Sequence, residues 1–248
     1  MKKIIKNILK YYGYNISKIK KEVSFDEIIK KNLPNNPTIF DIGANEGQSI
    51  TRFKKIFEKF QIHAFEPNIQ AFQSLKKNYG NYDKIFLNDL AVGEKKDKRK
   101  FFETKKTTHS SFYKINEKSE WIKMRSKEHR TSIKGYTERS RDVDIISLDE
   151  YCKTNLVKKI DLLKIDTQGY EEQVLNGCSD LIKNKLVNLI ETEIMLDDVY
   201  DRNINIYDLE KFLKDSHKLI GIKPKSFNNI YEGYVFSLDL IYKKKNEI

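Results

Sequence analysis

Cysteine is scarce in this chain: Cys152 and Cys178 are the only two in 248 residues, far apart and without metal-ligand spacing. They supply no disulfide framework and suit a reducing compartment. No apolar run approaches the roughly 20 residues needed to cross a bilayer. The opening MKKIIKNILKYYGY is basic, but Lys6, Asn7 and Lys10 interrupt its apolar stretch and no small-residue cleavage site follows. Neither a transmembrane segment nor a secretory signal is expected, and the cytoplasm is the default location. Repeats of 20–50 residues are also absent, which excludes a solenoid.

What is present is enough Ile, Leu and Phe for a core: 39% of residues are apolar and 33% charged. That length and composition predict one α/β domain of ordinary size. The formal charge is +11, unevenly placed. Residues 95–142 hold 16 Lys/Arg against 7 Asp/Glu, and residues 1–33 hold 9 against 3, so the rest of the chain is slightly acidic.

Periodicity divides the chain into an N-terminal helical extension over 1–35 and a domain over 36–248. Ile4, Ile5, Ile8, Leu9 and Tyr12 recur at helical spacing and predict a helix packing on the main domain; a membrane-surface or partner-docking role, including a homo-oligomer contact, is the alternative. From Asn36 strands and helices alternate. Strands are predicted at Thr38–Asp41, Gln61–Glu66, Lys84–Asn88, Ile160–Ile165, Leu186–Ile190 and Tyr234–Tyr242. Asn68 is placed to cap a helix running through Ala71, Phe72, Leu75 and Tyr79. Near-continuous apolar strands separated by helices predict a mostly parallel sheet covered on both faces. The direction of the last strand is left open. Residues 95–142 interrupt the pattern as a basic, Ser/Thr-rich insertion or lid, with a short strand at Lys100–Glu103 and a helix around Lys118–His129. Another short strand is read at Asp144–Leu148.

Asp41-Ile-Gly-Ala-Asn-Glu-Gly47 follows the first strand. Glycines between a parallel strand and a helix let a ligand approach backbone N–H groups closely. The acid ahead of Gly43 would repel a pyrophosphate but can hold the ammonium of an amino-acid moiety, which points to S-adenosylmethionine and away from a dinucleotide. Gly43, Ala44, Asn45 and Gly47 are the loop contacts. Glu66, 25 positions after Asp41, ends the second strand and can accept both ribose hydroxyls of a nucleoside. Asp89, after the third strand, is placed to meet the adenine amino group, with Leu90 lining the ring.

Asp41–Gly47, Phe65-Glu-Pro67, Ala91-Val-Gly93, Ser147-Leu-Asp149, Leu163-Lys-Ile-Asp-Thr-Gln-Gly-Tyr-Glu171 and Val174-Leu-Asn-Gly177 occur in an order and spacing that resembles the FkbM-family methyltransferases. The resemblance implies a Rossmann-like class I methyltransferase fold, α/β with a seven-stranded sheet, and O-methylation of a hydroxyl on a carbohydrate or other natural product. It also places Ser110 and Ser111 on a loop near the cofactor.

Asp166 ends the fourth predicted strand on the same sheet edge and is the first catalytic candidate. Methyl transfer to an alcohol needs in-line positioning and removal of the hydroxyl proton. Asp166 can be that base, orient the acceptor, or hold a divalent cation such as Mg²⁺. Gln168 stands where the family commonly has Glu, which counts against the metal; its ligands are unassigned. Glu191 and Glu193, at the end of the fifth strand, are further candidates, Glu193 preferred. His109 is a candidate base within the insertion. The insertion's lysines and arginines suit an anionic sugar or polymer, or simply solvent; nucleic acid is the weaker partner, since the Asn/Asp-Pro-Pro-Tyr/Phe motif of amino-group DNA methyltransferases is absent. Two competing functions remain: an RNA-modifying methyltransferase docking through the insertion, and a catalytically inactive nucleoside-binding scaffold.

Overall fold

Thr38–Ile42 is the organising strand, because its apolar residues alternate between the two faces of the sheet. The computed structural model describes residues 9–13, 23–202, 204–226 and 235–246; the helix expected over 1–12 falls mostly outside them. In chain order come α1 (Phe25–Asn32), β1 (Thr38–Ile42), α2 (Gln48–Ile56), β2 (Gln61–Phe65), α3 (Ile69–Tyr79), β3 (Ile85–Asn88) and β4 (Ala91–Val92). The next elements are β5 (Asp97–Thr104), α4 (Glu120–Glu128), β6 (Thr137–Ile146), α5 (Leu148–Thr154), β7 (Ile160–Ile165) and α6 (Glu171–Asn176). They are followed by α7 (Ser179–Lys183), β8 (Val187–Met195), α8 (Ile206–Leu213), β9 (His217–Ser226) and β10 (Val235–Lys244).

Seven strands form one sheet in the order β3-β2-β1-β7-β8-β10-β9. The pairings from β3 to β8 are parallel. β10 pairs antiparallel with both β8 and β9, which settles the direction left open by the sequence. This is the class I methyltransferase arrangement. Strand alternation separates two apolar clusters. Ile39, Ile62, Leu162, Leu189 and Ile241 pack with Ile50 and Phe53 of α2, Leu75 of α3 and Ile29 of α1. Phe40, Ile42, Leu163, Ile165 and Ile190 pack with Leu148 of α5, Val174 of α6 and Leu209 of α8. Asn68 caps α3 as its sequence predicts, accepting the Ala71 N–H at 3.0 Å.

Residues 95–142 are more ordered than a bare lid. β5 and β6 pair antiparallel, and β4 joins β6, making a separate three-stranded sheet in the order β4-β6-β5. The expected strand at Lys100–Glu103 is thus the middle of a longer one, and Asp144–Leu148 supplies only the end of β6. Much of the positive charge is locally paired: Lys98 with Asp144, Lys105 with Glu138, Arg99 with Asp97, and Arg139 and Arg141 with the buried Glu103. Arg141 also donates to the Pro67 carbonyl, fixing this small sheet against the end of β2. No helix among the described residues is long and apolar enough to cross a membrane.

Candidate active site

The parallel register aligns Asp41 of β1 with Lys164 of β7, and Lys164 with Glu191 of β8. These three charged residues therefore form a row across one face of the sheet, beneath α2. Asp41 is fully buried, and burial raises its pKa against the pull of Lys164. Lys164 Nζ lies 3.4 Å from Asp41 Oδ1 and 3.4 Å from Asp166 Oδ2. Burial would lower the lysine's pKa, but Asp41, Asp166 and Glu191 outweigh it, so Lys164 remains an ammonium ion. Arg52 of α2 extends the row, donating to Glu191 Oε1 at 2.7 Å and to Asp26 Oδ1 of α1 at 2.6 Å.

The loop after β1 is shaped by these neighbours. Gly43 has φ +86°, and a Cβ there would run into the Asp166 backbone oxygen. Gly47 has φ +96°, with the Tyr79 ring where its Cβ would stand. The expectation that this loop offers its amides to a ligand needs correction. The Gly43 and Ala44 N–H groups both donate to the Phe65 carbonyl at 3.0 Å, Gly47 donates to Ala44, and Asn45 N–H donates to Glu66 Oε2 at 2.8 Å. The glycines allow the fold of the loop, and the loop presents side chains and surface.

Glu66 is held at both oxygens, the second accepting the Asn68 N–H at 2.6 Å. Burial nevertheless pushes its pKa up to about 7, with the two backbone donors opposing. It borders a cavity of about 350 Å³ whose lining follows the sheet edge. Leu90, Ala91 and Val92 after β3, with Phe101 and Phe112, make an apolar end. Glu66 stands after β2; Gly43, Ala44 and Asn45 follow β1; Lys164 and Asp166 with Arg52 make a charged end. Asp89 does not reach this cavity and is exposed, so the residue expected to meet adenine is replaced there by its neighbour Leu90. Gly47 and Ser111 also lie off the wall, whereas Thr107, Thr108 and Ser110 of the insertion close over it. Asn45 Nδ2 donates to Thr107 Oγ1 at 3.1 Å, tying the loop to that cover. Ser111 instead donates to the Gln168 carbonyl at 2.7 Å.

A second cavity continues along the edge over β8, β10 and β9. Thr108, His109, Trp121, Arg125, Asp166, Gln168, Glu193, Met195, Lys225 and Phe236 surround it. Thr108, Asp166 and Gln168 belong to both cavities. Burial raises Asp166, but Lys164, the Gln168 hydrogen bond and Lys225 prevail and hold its pKa below the usual value. Glu191 and Glu193, two positions apart on β8, share one sheet face. Glu191 stays under the charged row with Arg52, and Glu193 reaches the second cavity, where Lys225 (2.9 Å) and Ser237 (2.7 Å) both donate to Oε1. Burial and nearby Asp166 raise the Glu193 pKa. His109 also reaches the second cavity, its Nδ1 2.7 Å from Tyr136 Oη. Burial first, then Arg125, Lys106 and His129, depress its pKa to about 3, which leaves a neutral and weakly basic imidazole.

The Methyltransferase FkbM domain family matches residues 41–219. The chain belongs to the FkbM methyltransferase family. Among curated proteins it is similar to the 2-O-methyltransferase NoeI of Sinorhizobium fredii, at 24% identity over 77% of this chain and 76% of that protein. It is also similar to the methyltransferase sdnD of Sordaria araneosa, at 28% identity over 74% of this chain and 79% of that one. Among solved structures, a putative S-adenosylmethionine dependent methyltransferase from Listeria monocytogenes aligns with TM-score 0.47 and 9% identity, covering 88% and 97% of the two chains.

The cavity suits this methyltransferase's cofactor, S-adenosylmethionine. Arg52, Glu66, Lys164 and Asp166 give the cavity polar groups, and Leu90, Phe101 and Phe112 an apolar stretch. Asp41, expected as a direct cofactor contact, lies fully buried off the cavity wall and acts on it through Lys164. A divalent cation does not fit. Among the described residues no three His, Cys, Asp or Glu side chains are grouped as metal ligands, and the Lys164 ammonium already stands between Asp41 and Asp166.

Proposed function

We propose that this FkbM-family methyltransferase transfers the methyl group of S-adenosylmethionine to a hydroxyl of a neutral, hydroxyl-rich acceptor such as a carbohydrate. The observation that carries this reading is the shared wall: Asp166, Gln168 and Thr108 border the cofactor cavity on one side and a second cavity on the other. A hydroxyl in the second cavity can approach Asp166 while a ligand of the first cavity lies against the same wall.

Bound S-adenosylmethionine supplies an electrophilic methyl on a sulfonium leaving group. Asp166, kept ionised by Lys164 and Gln168, is the group within reach of both cavities and takes the hydroxyl proton as the oxygen–carbon bond forms and the sulfur–carbon bond breaks. Glu193 orients the acceptor from the far side of the second cavity. His109 borders the second cavity alone and its Nδ1 is 2.7 Å from Tyr136 Oη, so it acts as a hydrogen-bonding wall residue.

A neutral acceptor is favoured because the cations at the second cavity are already paired. Lys225 bridges Glu193 and Asp239, and Arg125 pairs with Glu128. Carboxylates and amides there accept and donate to hydroxyls, while Met195 and Phe236 offer apolar surface. The 2-O-methyl transfer named for the Sinorhizobium relative agrees with an oxygen as the acceptor atom. The test is incubation with methyl-labelled S-adenosylmethionine and a panel of oligosaccharides, followed by mass spectrometry. A labelled methyl ether formed by the wild type supports the reading; label confined to nitrogen, or no product with any hydroxylated acceptor, defeats it.

A further inference from the structure

Arg52 lines the first cavity, yet the methyl transfer gives it no part. Gln48, Ser49 and Arg52 stand at positions i, i+1 and i+4 of α2 and all border that cavity, so one face of the helix runs along it. The charged side chains on the wall are Arg52, Lys164, Asp166 and Glu66, and burial pushes Glu66 up to about 7. Asp26, Asp41 and Glu191 stand off the wall. A ligand at this end therefore meets two cations and one firmly ionised carboxylate, Asp166.

The two cations differ in what they can still donate. Lys164 Nζ is 3.4 Å from Asp41 Oδ1 and 3.4 Å from Asp166 Oδ2, so two acids already claim its ammonium. The Arg52 guanidinium spreads its N–H donors over three nitrogens. Nε donates to Asp26 Oδ1 at 2.6 Å and Nη1 to Glu191 Oε1 at 2.7 Å, while Nη2 has no partner among the described residues. Those two bonds tie the group to α1 on one side and to β8 on the other. A planar group held at two corners has its third corner fixed, so Nη2 is a donor set in place before any ligand arrives.

We propose that Arg52 recognises the carboxylate of the cofactor's amino-acid tail, with Asp26 of α1 and Glu191 of β8 as its positioning residues. The proposal rests on the reading that S-adenosylmethionine occupies this cavity. The carboxylate is the one anionic group of that molecule, and Arg52 is the wall cation with a nitrogen left to give it. A guanidinium N–H donating to a carboxylate makes a charge-assisted bond, stronger than one from a neutral donor. Asp26 precedes the family-matched residues 41–219, so α1 takes part in cofactor binding from outside that span.

The test is calorimetric titration of the whole protein with S-adenosylmethionine and with its decarboxylated form, in which hydrogen replaces the carboxylate. The wild type is expected to bind the carboxylate-bearing ligand about thirtyfold tighter. Arg52→Gln should bring that ratio within about threefold of one, while affinity for the decarboxylated form changes by less than about threefold. Asp26→Asn, at a half-exposed position, should lower the ratio to about tenfold. A general loss of structure would weaken both ligands together and leave the ratio alone. Decarboxylation also makes the ligand more positive, so a site ruled by its acids would bind the decarboxylated form tighter. That result, an equal affinity, or an Arg52→Gln variant that keeps the full ratio overturns the proposal. Should Arg52→Gln not fold, the wild-type ratio and its fall in Asp26→Asn decide it. Equal binding of the two ligands overturns only this inference; binding of neither overturns the cofactor assignment with it.

Discussion

The backbone oxygen of Asp166 occupies the space in which Gly43 would carry a Cβ, so the loops after β1 and β7 meet without a side chain between them. Gly43→Ala meets both this clash and a positive φ. Its expected cost is about 2–4 kcal/mol of folding stability, read by urea denaturation, together with weakened cofactor binding. An alanine variant as stable as the wild type would show that the two loops separate easily.

Asp166→Asn keeps shape and removes the proton acceptor. Turnover should fall by about 10²–10⁴-fold with the fold intact by circular dichroism. His109→Gln should cost less than about tenfold, because His109 borders the second cavity only and stands off the wall the two cavities share. The reverse ranking in labelled-methyl turnover would move the proton to His109.

Cofactor affinity should depend on pH through Glu66. Its pKa in the free protein is about 7, and accepting two ribose hydroxyls favours the ionised form. Below that value a proton must leave before the carboxylate binds. Affinity therefore rises with pH up to about 7 and levels off above it, with a limiting slope of about tenfold per unit on the acid side. Glu66→Gln should bind more weakly and flatten this dependence. Calorimetry between about pH 5.5 and 8 checks both.

Removing Arg52 leaves two acids without their shared cation. Arg52→Met should destabilise by about 2–3 kcal/mol, less than a fully buried pair would lose, since Arg52 keeps 26% of its side-chain exposure. Adding Glu191→Leu should recover most of that loss, because it removes the buried charge left unpaired. Urea denaturation of both variants gives the comparison.

The sheet was largely legible because β1, β2 and β7 are short apolar runs ended by acids or turn residues. β9 was not. As an edge strand it carries Lys218, Lys223, Pro224 and Lys225, the residues that discourage further pairing at a sheet edge and also the ones that read as loop. β4, two residues long, has no periodicity to detect. At the cavity, Glu66 and Asp166 could be read from strand ends, while Asp41, read the same way, lies buried off its wall. Arg52 could not, because its partners Asp26 and Glu191 lie 26 and 139 positions away. Tyr200 and Lys225 reach the site through tertiary contact alone. Asp89 was placed by strand-end logic, but the chain turns so that Leu90 supplies the wall.

One ammonium group serving two carboxylates has a consequence for genetics. Lys164 sits equally near Asp41 and Asp166, so neutralising either acid hands the cation to the other. The effects of substitutions at these three positions will not add, and a double-mutant cycle between Asp41→Asn and Asp166→Asn should show strong coupling. Change at any one position is then tolerated or rejected according to the state of the other two, and the three positions drift, if they drift, as a single heritable unit.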